Sequence, residues 1–261
     1  MLIDVDDPIA LAAELLDRAR HVLVLSGAGI STDSGIPDFR GPEGVWTKDP
    51  DAEMLSSYDR YTGDEGIRRR AWQSRLRSPT WTASPNDGHR ALVALDRKGV
   101  LDLVVTQNID RLHQAAGLEP AKVVEIHGNA HEALCLRCGD RRDMVEVLER
   151  VRSGEGDPRC EMLVRGARCG GIIKSATISF GQALVAGDLE RAEAGARHCD
   201  LLLAIGSTLS VYPAAAIVPL AKRSGASVVI LNAEATAMDG LADVVINGDI
   251  TSCLQRLLGT S

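Results

Sequence analysis

The chain has 261 residues, enough for one large α/β domain with or without a small insertion. Hydrophobic residues make up 45% of it and aromatic residues only 3%, so aliphatic side chains must fill the core, a composition that favours strands buried between helices. The net charge of −7 argues against a general affinity for nucleic acid or anionic membrane. We expect a cytoplasmic protein with no specific nucleic-acid partner and no membrane contact, because no signal peptide or spanning stretch is visible.

Short apolar runs alternate with helical patterns along the chain. Apolar residues at helical spacing open it over residues 7–20, and apolar runs follow at residues 21–25, 101–106, 201–205, 228–231 and 244–246. This order predicts an α/β fold with a Rossmann-like, doubly wound parallel sheet. Ligands of such sheets bind beyond the carboxyl ends of the strands, so the polar residues after the runs predict one shared site. These residues are Gly27, Gln107, Asn108, Asp110, Gly206, Ser207 and Asn232.

Two stretches interrupt the alternation. Residues 41–85 are polar and read as a mostly helical insertion, and residues 129–175 contain four of the six cysteines. We predict that residues 1–40, 86–128 and 176–261 form the Rossmann-like domain. The two insertions would together form a smaller domain.

Four cysteines in the second insertion suggest a metal site. Cys135 and Cys138, with two residues between them, form a strong zinc half-site, whereas eight residues separate Cys160 from Cys169. Four thiolates would close one structural zinc site and hold together a domain with little core of its own. The alternative is that Cys160 is free and another ligand, for example His131, completes the site.

The glycine turn after the first predicted strand, Gly27-Ala28-Gly29, is half of a dinucleotide-binding fingerprint. Backbone N–H groups of such a turn approach a pyrophosphate closely. Thr32 stands in the place of the third glycine, and no acidic residue follows about 20 positions on at the end of a second strand. The turn by itself leaves dinucleotide binding and a plain strand–helix turn open.

The segment that continues from this turn resembles the signature of the sirtuin (Sir2) family of NAD-dependent protein deacylases. The matching segments are GAGISTDSGIPDFRG (27–41), TQNID (106–110), IHG (126–128), SFG (179–181), GSTLSVYPAA (206–215) and LN (231–232). With the cysteine pairs, they cover essentially the whole chain in the family's order. The resemblance implies NAD as co-substrate and one structural zinc, although the family usually has two to four residues between the second pair of cysteines.

The resemblance also implies roles for the matched residues. The expected NAD contacts are Gly27, Ala28, Asp38, Phe39, Arg40, Gln107, Asn108, Ile109, Asp110, Gly206, Ser207, Asn232 and Ile250. Residues 107–110 would form the nicotinamide pocket, with Asn108 also catalytic. His127 would be the general base, a task that suits the near-neutral pKa of histidine. An acyl-lysine peptide would add to a strand over residues 177–181, on Ile178, Phe180 and Gly181.

The implied reaction removes an acyl group, most simply acetyl, from a lysine of a protein or peptide, and releases nicotinamide and O-acyl-ADP-ribose. The alternatives are protein mono-ADP-ribosylation at the same site, a hydride-transferring dehydrogenase and a non-catalytic NAD- or zinc-binding module. We expect His89 and His113 to be packing or surface residues.

The acyl preference depends on the helical insertion. Family members that prefer succinyl or malonyl groups carry a Tyr-x-x-Arg pair there, and the nearest segment here has Trp72 and Arg75 but no tyrosine. We therefore expect neutral acyl groups; the alternative is that Arg75 alone pairs with an acidic acyl group. Trp72 would either line an acyl channel or pack within the insertion.

Overall fold

A parallel six-stranded sheet forms the larger part of the fold. The structure, a computed structural model, describes residues 7–39, 41 and 44–259. The strands in these residues are β1 (Val22–Ser26), β2 (Leu101–Thr106), β3 (Val123–Glu125), β4 (Gly128–Cys135), β5 (Arg141–Asp143), β6 (Leu163–Val164), β7 (Ala167–Arg168), β8 (Ile173–Thr177), β9 (Leu201–Ile205), β10 (Ser227–Asn232) and β11 (Val244–Asn247).

The large sheet has the strand order β11-β10-β9-β1-β2-β3, and every neighbouring pair is parallel. All five apolar runs of the sequence become strands of this sheet, and the predicted doubly wound α/β fold is confirmed. From β1 the chain adds β2 and β3 on one side and later β9, β10 and β11 on the other. The topological switch point therefore lies between β1 and β9.

Helices cover both faces of the sheet. The helices in the described residues, in chain order, are α1 (Pro8–Arg18), α2 (Val45–Lys48), α3 (Tyr58–Gly63), α4 (Glu65–Leu76), α5 (Asp87–Arg97), α6 (Leu112–Ala116), α7 (Met144–Arg152), α8 (Ala186–His198), α9 (Ile217–Arg223) and α10 (Ile250–Leu258). Those that pack on the large sheet include α1, α5 and α10 on one face and α8 and α9 on the other. Side chains of β1 alternate between the two faces. Val22 and Val24 pack in the core under α1, α5 and α10, whereas Leu23 and Leu25 pack in the core under α8 and α9.

Side-chain caps fix where the three helices of the first face begin. Asp7 accepts a hydrogen bond from the Ile9 N–H, Asn86 from the His89 N–H, and Asp249 from the Ser252 N–H. Each cap of this kind stabilises a helix by about 1 kcal/mol. No helix in the described part of the chain combines the length and apolarity needed to cross a membrane.

A third hydrophobic core lies outside the large sheet and joins the two insertions. Its sheet has the order β5-β4-β8, and Trp72 of α4 packs there against Met144 and Leu148 of α7. Trp72 is fully buried, so it packs within the small part of the fold instead of lining a channel. This sheet starts at Gly128 and ends at Thr177, close to the boundaries drawn from sequence. The exact division into domains stays a prediction.

Candidate active site

The glycine turn after β1 is in close contact with the loop after β9. The Gly27 N–H donates to the Ile205 carbonyl and the Gly29 N–H to the Gly206 carbonyl, both at 2.9 Å. A Cβ atom on Gly27 would lie 2.6 Å from the Gly206 oxygen, and one on Gly29 would lie 2.8 Å from the Gly206 Cα. Glycine is required here because two backbone turns meet at the switch point. The N–H groups of Gly27 and Gly29 are thus already bonded within the fold.

Most of the predicted NAD-contacting residues lie at this edge of the sheet, after β1, β2 and β9. They are Gly27, Ala28, Gln107, Asn108, Ile109, Asp110, Gly206 and Ser207. Ile250 at the start of α10 reaches the same turn, since its Cδ1 lies 2.8 Å from the Cβ position of Gly29. Asn232 ends β10, one strand further out, and donates to the Glu234 carbonyl at 2.8 Å.

Asp38 and Phe39 follow the 3-10 helix Ala28–Ser34. The Asp38 carboxylate accepts the Gly41 N–H at 2.8 Å, which closes this loop. Arg40, also predicted to contact NAD, lies outside the described residues.

Ser31 links the two polar side chains of the predicted nicotinamide pocket. The Asn108 amide donates to the Gly27 carbonyl at 3.1 Å and to the Ser31 hydroxyl at 3.0 Å. The Ser31 hydroxyl in turn donates to the Asp110 carboxylate at 2.8 Å, and the other Asp110 oxygen accepts the Leu112 N–H. Asn108 and Asp110 are 8% and 6% exposed, so these bonds fix two nearly buried polar groups at the strand ends.

Two buried histidines lie beneath this network. His89 Nε2 is 3.4 Å from the Ser31 hydroxyl, and His113 Nε2 is 2.9 Å from the Ser26 hydroxyl, which donates to Thr106. The rings of His89 and His113 meet edge to face, 5.1 Å apart. Because both histidines are buried, the prediction that they are surface residues is wrong. The alternative prediction, that they are packing residues, did not include these polar contacts. Sequence reasoning also missed Ser31, although it belongs to the matched segment after the glycine turn.

Burial makes both histidines hard to protonate. It lowers the pKa of His89 to about 4, against the attraction of the Asp110 carboxylate, and it lowers the pKa of His113 to about 3, with His89 adding to the effect. In the unfolded chain the pKa of both imidazoles returns to about 6.5. The unfolded state therefore binds more protons below pH 6.5.

We expect the free energy of unfolding to fall as the pH drops from 6.5 towards 4. Each histidine should contribute up to about 1.4 kcal/mol per pH unit. Urea denaturation at several pH values, for the wild-type protein and for His113→Gln, measures this. The variant should show the shallower slope, and identical slopes would contradict a neutral, buried His113.

His127 lies between β3 and β4 with one ring nitrogen occupied. Its Nδ1 is 3.2 Å from the Gln107 carbonyl oxygen. Because a carbonyl only accepts, Nδ1 carries the proton in the neutral ring and Nε2 keeps its lone pair. Burial lowers the pKa of His127, and the hydrogen bond to Gln107 partly opposes this. The ring is thus neutral near pH 7, with Nε2 available as a base.

Gln107 also connects the two halves of the sheet. Its side-chain amide donates to the Ser207 hydroxyl at 2.9 Å, so the loop after β2 is bonded to the loop after β9 across the end of β1. The His127 carbonyl accepts the Ile178 N–H at 2.8 Å, which places the base beside the residue after β8. Ile178 and His127 are therefore neighbours, although they are 51 positions apart in the sequence.

The predicted strand over residues 177–181 is wrong. Strand β8 ends at Thr177, and Phe180 forms only an isolated bridge with Ser57. The Phe180 N–H donates to the Ser56 carbonyl at 2.8 Å, and its own carbonyl accepts the Tyr58 N–H at 3.0 Å. Gly181 then turns the chain at a φ of +84°. The loop before α3 thus occupies the backbone groups of Phe180.

An aromatic group borders this loop. The Phe39 and Trp46 rings are 4.8 Å apart, and those of Trp46 and Phe180 are 5.5 Å apart. Phe39 and Phe180 are each 42% exposed. Two of the predicted site residues thus present a partly exposed apolar surface, although the loops that carry them are far apart in the sequence.

The four cysteines converge on one point. The Cys135 and Cys169 sulfurs are 3.8 Å apart, those of Cys138 and Cys160 are 3.6 Å apart, and all four lie within 4.8 Å of one another. A tetrahedral zinc with Zn–S bonds of about 2.3 Å requires sulfur–sulfur distances of about 3.8 Å. Burial raises the pKa of the Cys160 thiol to about 12, so a cation is needed to hold it as a thiolate. The residues fit a closed structural zinc site.

The long spacing between Cys160 and Cys169 is taken up by the β6–β7 hairpin, which leaves the cluster and returns to it. Its turn contains Arg165 at a φ of 52° and Gly166 at a φ of 81°. The Gly170 N–H bonds back to the Cys160 carbonyl at 2.9 Å. The alternative ligand His131 is not in the cluster, because its Nε2 lies 2.9 Å from the Asp110 carbonyl oxygen.

Comparison with known proteins gives concordant matches. The sequence model of the Sir2 family matches residues 27–213. The NAD-dependent protein deacetylase 2 of Streptomyces coelicolor is 48% identical over 237 residues, 91% of this chain and 96% of that protein. A solved structure described as a basis for the mechanism and regulation of Sir2 enzymes has a TM-score of 0.86 at 38% identity and covers 98% of both chains. Another, of a Sir2 enzyme bound to a propionylated peptide, has a TM-score of 0.82 at 32% identity and covers 94% of this chain and 95% of that one. The chain belongs to the Sir2 family.

Proposed function

We propose that this chain is an NAD-dependent protein-lysine deacylase that removes acetyl and similar neutral acyl groups and releases nicotinamide and O-acyl-ADP-ribose. The observation that carries the proposal is the neutral His127 beside the Asn108–Ser31–Asp110 network. Both lie at the carboxyl ends of the strands, where parallel sheets bind ligands. The similarity to a relative named as an NAD-dependent protein deacetylase supports it.

NAD would supply the ribose carbon that bonds to the amide oxygen of the acyl-lysine, and nicotinamide would leave from that same carbon. Asn108 and Asp110, held by Ser31, position the nicotinamide group, since preorganised polar groups need no rearrangement during reaction. Gly27, Ala28, Gly206 and Ser207 would face the diphosphate and the adenosine ribose. Asn232 and Ile250 would lie at the adenosine end, and Asp38, Phe39 and Arg40 would close over the cofactor.

His127 acts as the general base in this proposal. Its Nε2 accepts the proton of a ribose hydroxyl, while the Gln107 carbonyl holds Nδ1–H and stabilises the resulting imidazolium. Ile178 lies next to this base and would accept the lysine Nε–H through its carbonyl. Phe180 and Gly181 would border the peptide. Because the backbone groups of Phe180 are already bonded, the peptide would have to pair with another edge.

The zinc would be held by Cys135, Cys138, Cys160 and Cys169 and would be structural. When bound, it supplies a cross-link between the turn after β4 and the loop that precedes β8. We also propose a cytoplasmic location and no nucleic-acid or membrane partner, from the net charge of −7 and the grouping of thiols at a metal site. Protein mono-ADP-ribosylation is not favoured, because the matched relative is named as a deacetylase and the similar structure holds an acylated peptide.

The acyl preference follows from Arg75. Its guanidinium carbon lies 5.4 Å from the Tyr61 ring and 5.2 Å from the Trp72 ring, and its Nη1 is buried without a hydrogen-bond partner among the described residues. Trp72 stands three residues before Arg75, so a succinyl carboxylate would lack the Tyr-x-x-Arg pair of family members that prefer such groups. We expect turnover of a succinyl-lysine peptide to be at least about tenfold below that of the acetyl-lysine peptide, the scale of an unpaired buried charge.

Mass spectrometry of reactions with NAD and a pool of acyl-lysine peptides tests the proposal. We expect nicotinamide and acetyl-ADP-ribose in equal amounts, with none from the unacylated peptide. NADH formation would indicate a dehydrogenase, and ADP-ribose on the peptide would indicate a transferase. Either outcome without deacylated peptide would contradict the proposal.

A further inference from the structure

Two histidines and an aspartate meet at the amino ends of the strands, the end of the sheet opposite the glycine turn. His21 precedes β1, Asp102 is the second residue of β2, and His198 ends α8. His21 Nδ1 lies 2.9 Å and His198 Nε2 lies 3.9 Å from the same oxygen of Asp102. The two imidazole rings are 4.3 Å apart. We call His21, Asp102 and His198 the amino-end cluster.

The spacing of these atoms suits a transition metal. Zn–N and Zn–O bonds of about 2.0–2.1 Å in a tetrahedron require ligand atoms about 3.3 Å apart. The two measured distances to Asp102 bracket that value, and all three ligand atoms lie within 4.8 Å of one another. Adjustments of a few tenths of an ångström to about 1 Å in partly exposed side chains would complete the geometry.

The fold fixes the positions from which the three side chains project. The Asp200 carboxylate accepts the His21 N–H at 3.0 Å, and the His21 carbonyl accepts the Asp200 N–H at 3.0 Å. Asp102 is the second residue of β2 and lies where the register between β1 and β2 shifts. His198 lies in the last turn of α8, where the carbonyl ends of the helix favour a positive charge. The Asp200 carboxylate accepts the backbone N–H groups of Arg20 and His21. The candidate metal ligands are therefore the three side chains of the amino-end cluster.

We propose that the amino-end cluster binds a divalent first-row transition metal, zinc in the first instance, at a second site separate from the four cysteines. Two imidazoles and one carboxylate select Zn²⁺, Ni²⁺ or Co²⁺ over Mg²⁺ and Ca²⁺, which prefer oxygen ligands only. Three protein ligands leave the remaining coordination positions to water. A bound ion would join the start of β1, β2 and the end of α8.

The test uses the zinc-loaded, full-length protein, so that the cysteine site is already occupied. Titration calorimetry with ZnCl₂ and NiCl₂ should show one additional site per chain. His198→Ala and Asp102→Asn should each lower the affinity of this additional site for metal at least about tenfold, since each removes one of three ligands. Glu190→Gln, an exposed carboxylate on the same helix, is the matched control and should bind like the wild type. MgCl₂ should give no binding.

Proton NMR of the wild-type protein gives a second readout that needs no variant. Substoichiometric Co²⁺ should broaden the imidazole resonances of His21 and His198 before those of His127 and His131. Equal affinity in the wild type and both ligand variants would overturn the proposal, as would uniform broadening of all histidines. Deacylase activity does not enter the test, because the cluster lies at the opposite end of the strands from His127.

Discussion

The variant His127→Ala is expected to lose at least about a hundredfold in turnover while it keeps NAD affinity within a few-fold. Removal of a general base costs about 10²–10⁴ in rate, whereas most of the residues that hold NAD in the proposal lie on the loops after β1, β2 and β9. Steady-state deacylation of an acetyl-lysine peptide and calorimetric titration with NAD measure the two effects separately.

The pH profile distinguishes a base from a residue that only maintains the structure. In the wild type, turnover should decline on the acid side when His127 becomes protonated. Because burial lowers its pKa, the decline should begin below the usual histidine range. The residual activity of His127→Ala should lack this acid limb. Unchanged turnover, or a loss of NAD affinity as large as the loss of rate, would contradict the assigned role.

Loss of the zinc site is expected to have the second large effect. Structural zinc contributes about 10–16 kcal/mol of binding free energy in small zinc-dependent folds, and the third core here contains Cys135, Cys160 and Cys169 themselves. Cys160→Ser should therefore reduce tightly bound zinc from one per chain to near zero. Its melting temperature should fall by about 2–4 °C for each kcal/mol lost.

Metal analysis after dialysis against a weak chelator, followed by thermal unfolding, measures both quantities. The dialysis strips loosely held ions, so only the cysteine site is counted. Cys253→Ser is the matched control, because Cys253 is half-buried and outside the sulfur cluster. It should keep its zinc. Retention of one tightly bound zinc by Cys160→Ser would argue for a three-cysteine site.

Much of the fold could be predicted because parallel strands with both faces buried are continuous apolar runs. The residues of β1 and β9 are all buried, and both strands coincide with runs of Val, Leu and Ile. The Cys135–Cys138 half-site was equally local. Strand ends predicted the position of the site, since polar residues such as Asn108 and Asp110 follow the runs directly.

Other parts depend on contacts between distant segments, which no local pattern records. Ser31 bonds to Asn108 and Asp110, 77 and 79 positions away. The strand expected over residues 177–181 did not form because the segment before α3 bonds to Phe180 instead. The interpretation of the glycine turn was also incomplete, since Gly27 and Gly206 allow two loops to pack closely against each other.

The β6–β7 hairpin accommodates the long chain between Cys160 and Cys169, so the length of this segment does not determine the geometry of the four sulfurs. Hydrogen bonds at its base return the chain to the cluster, while Arg165 and Gly166 at its far end are exposed. Doubling a flexible loop costs only about 0.6 kcal/mol of closure entropy. The hairpin tip is therefore a natural insertion point, where relatives can differ in length and an epitope or fluorophore can be placed without altering the metal ligands.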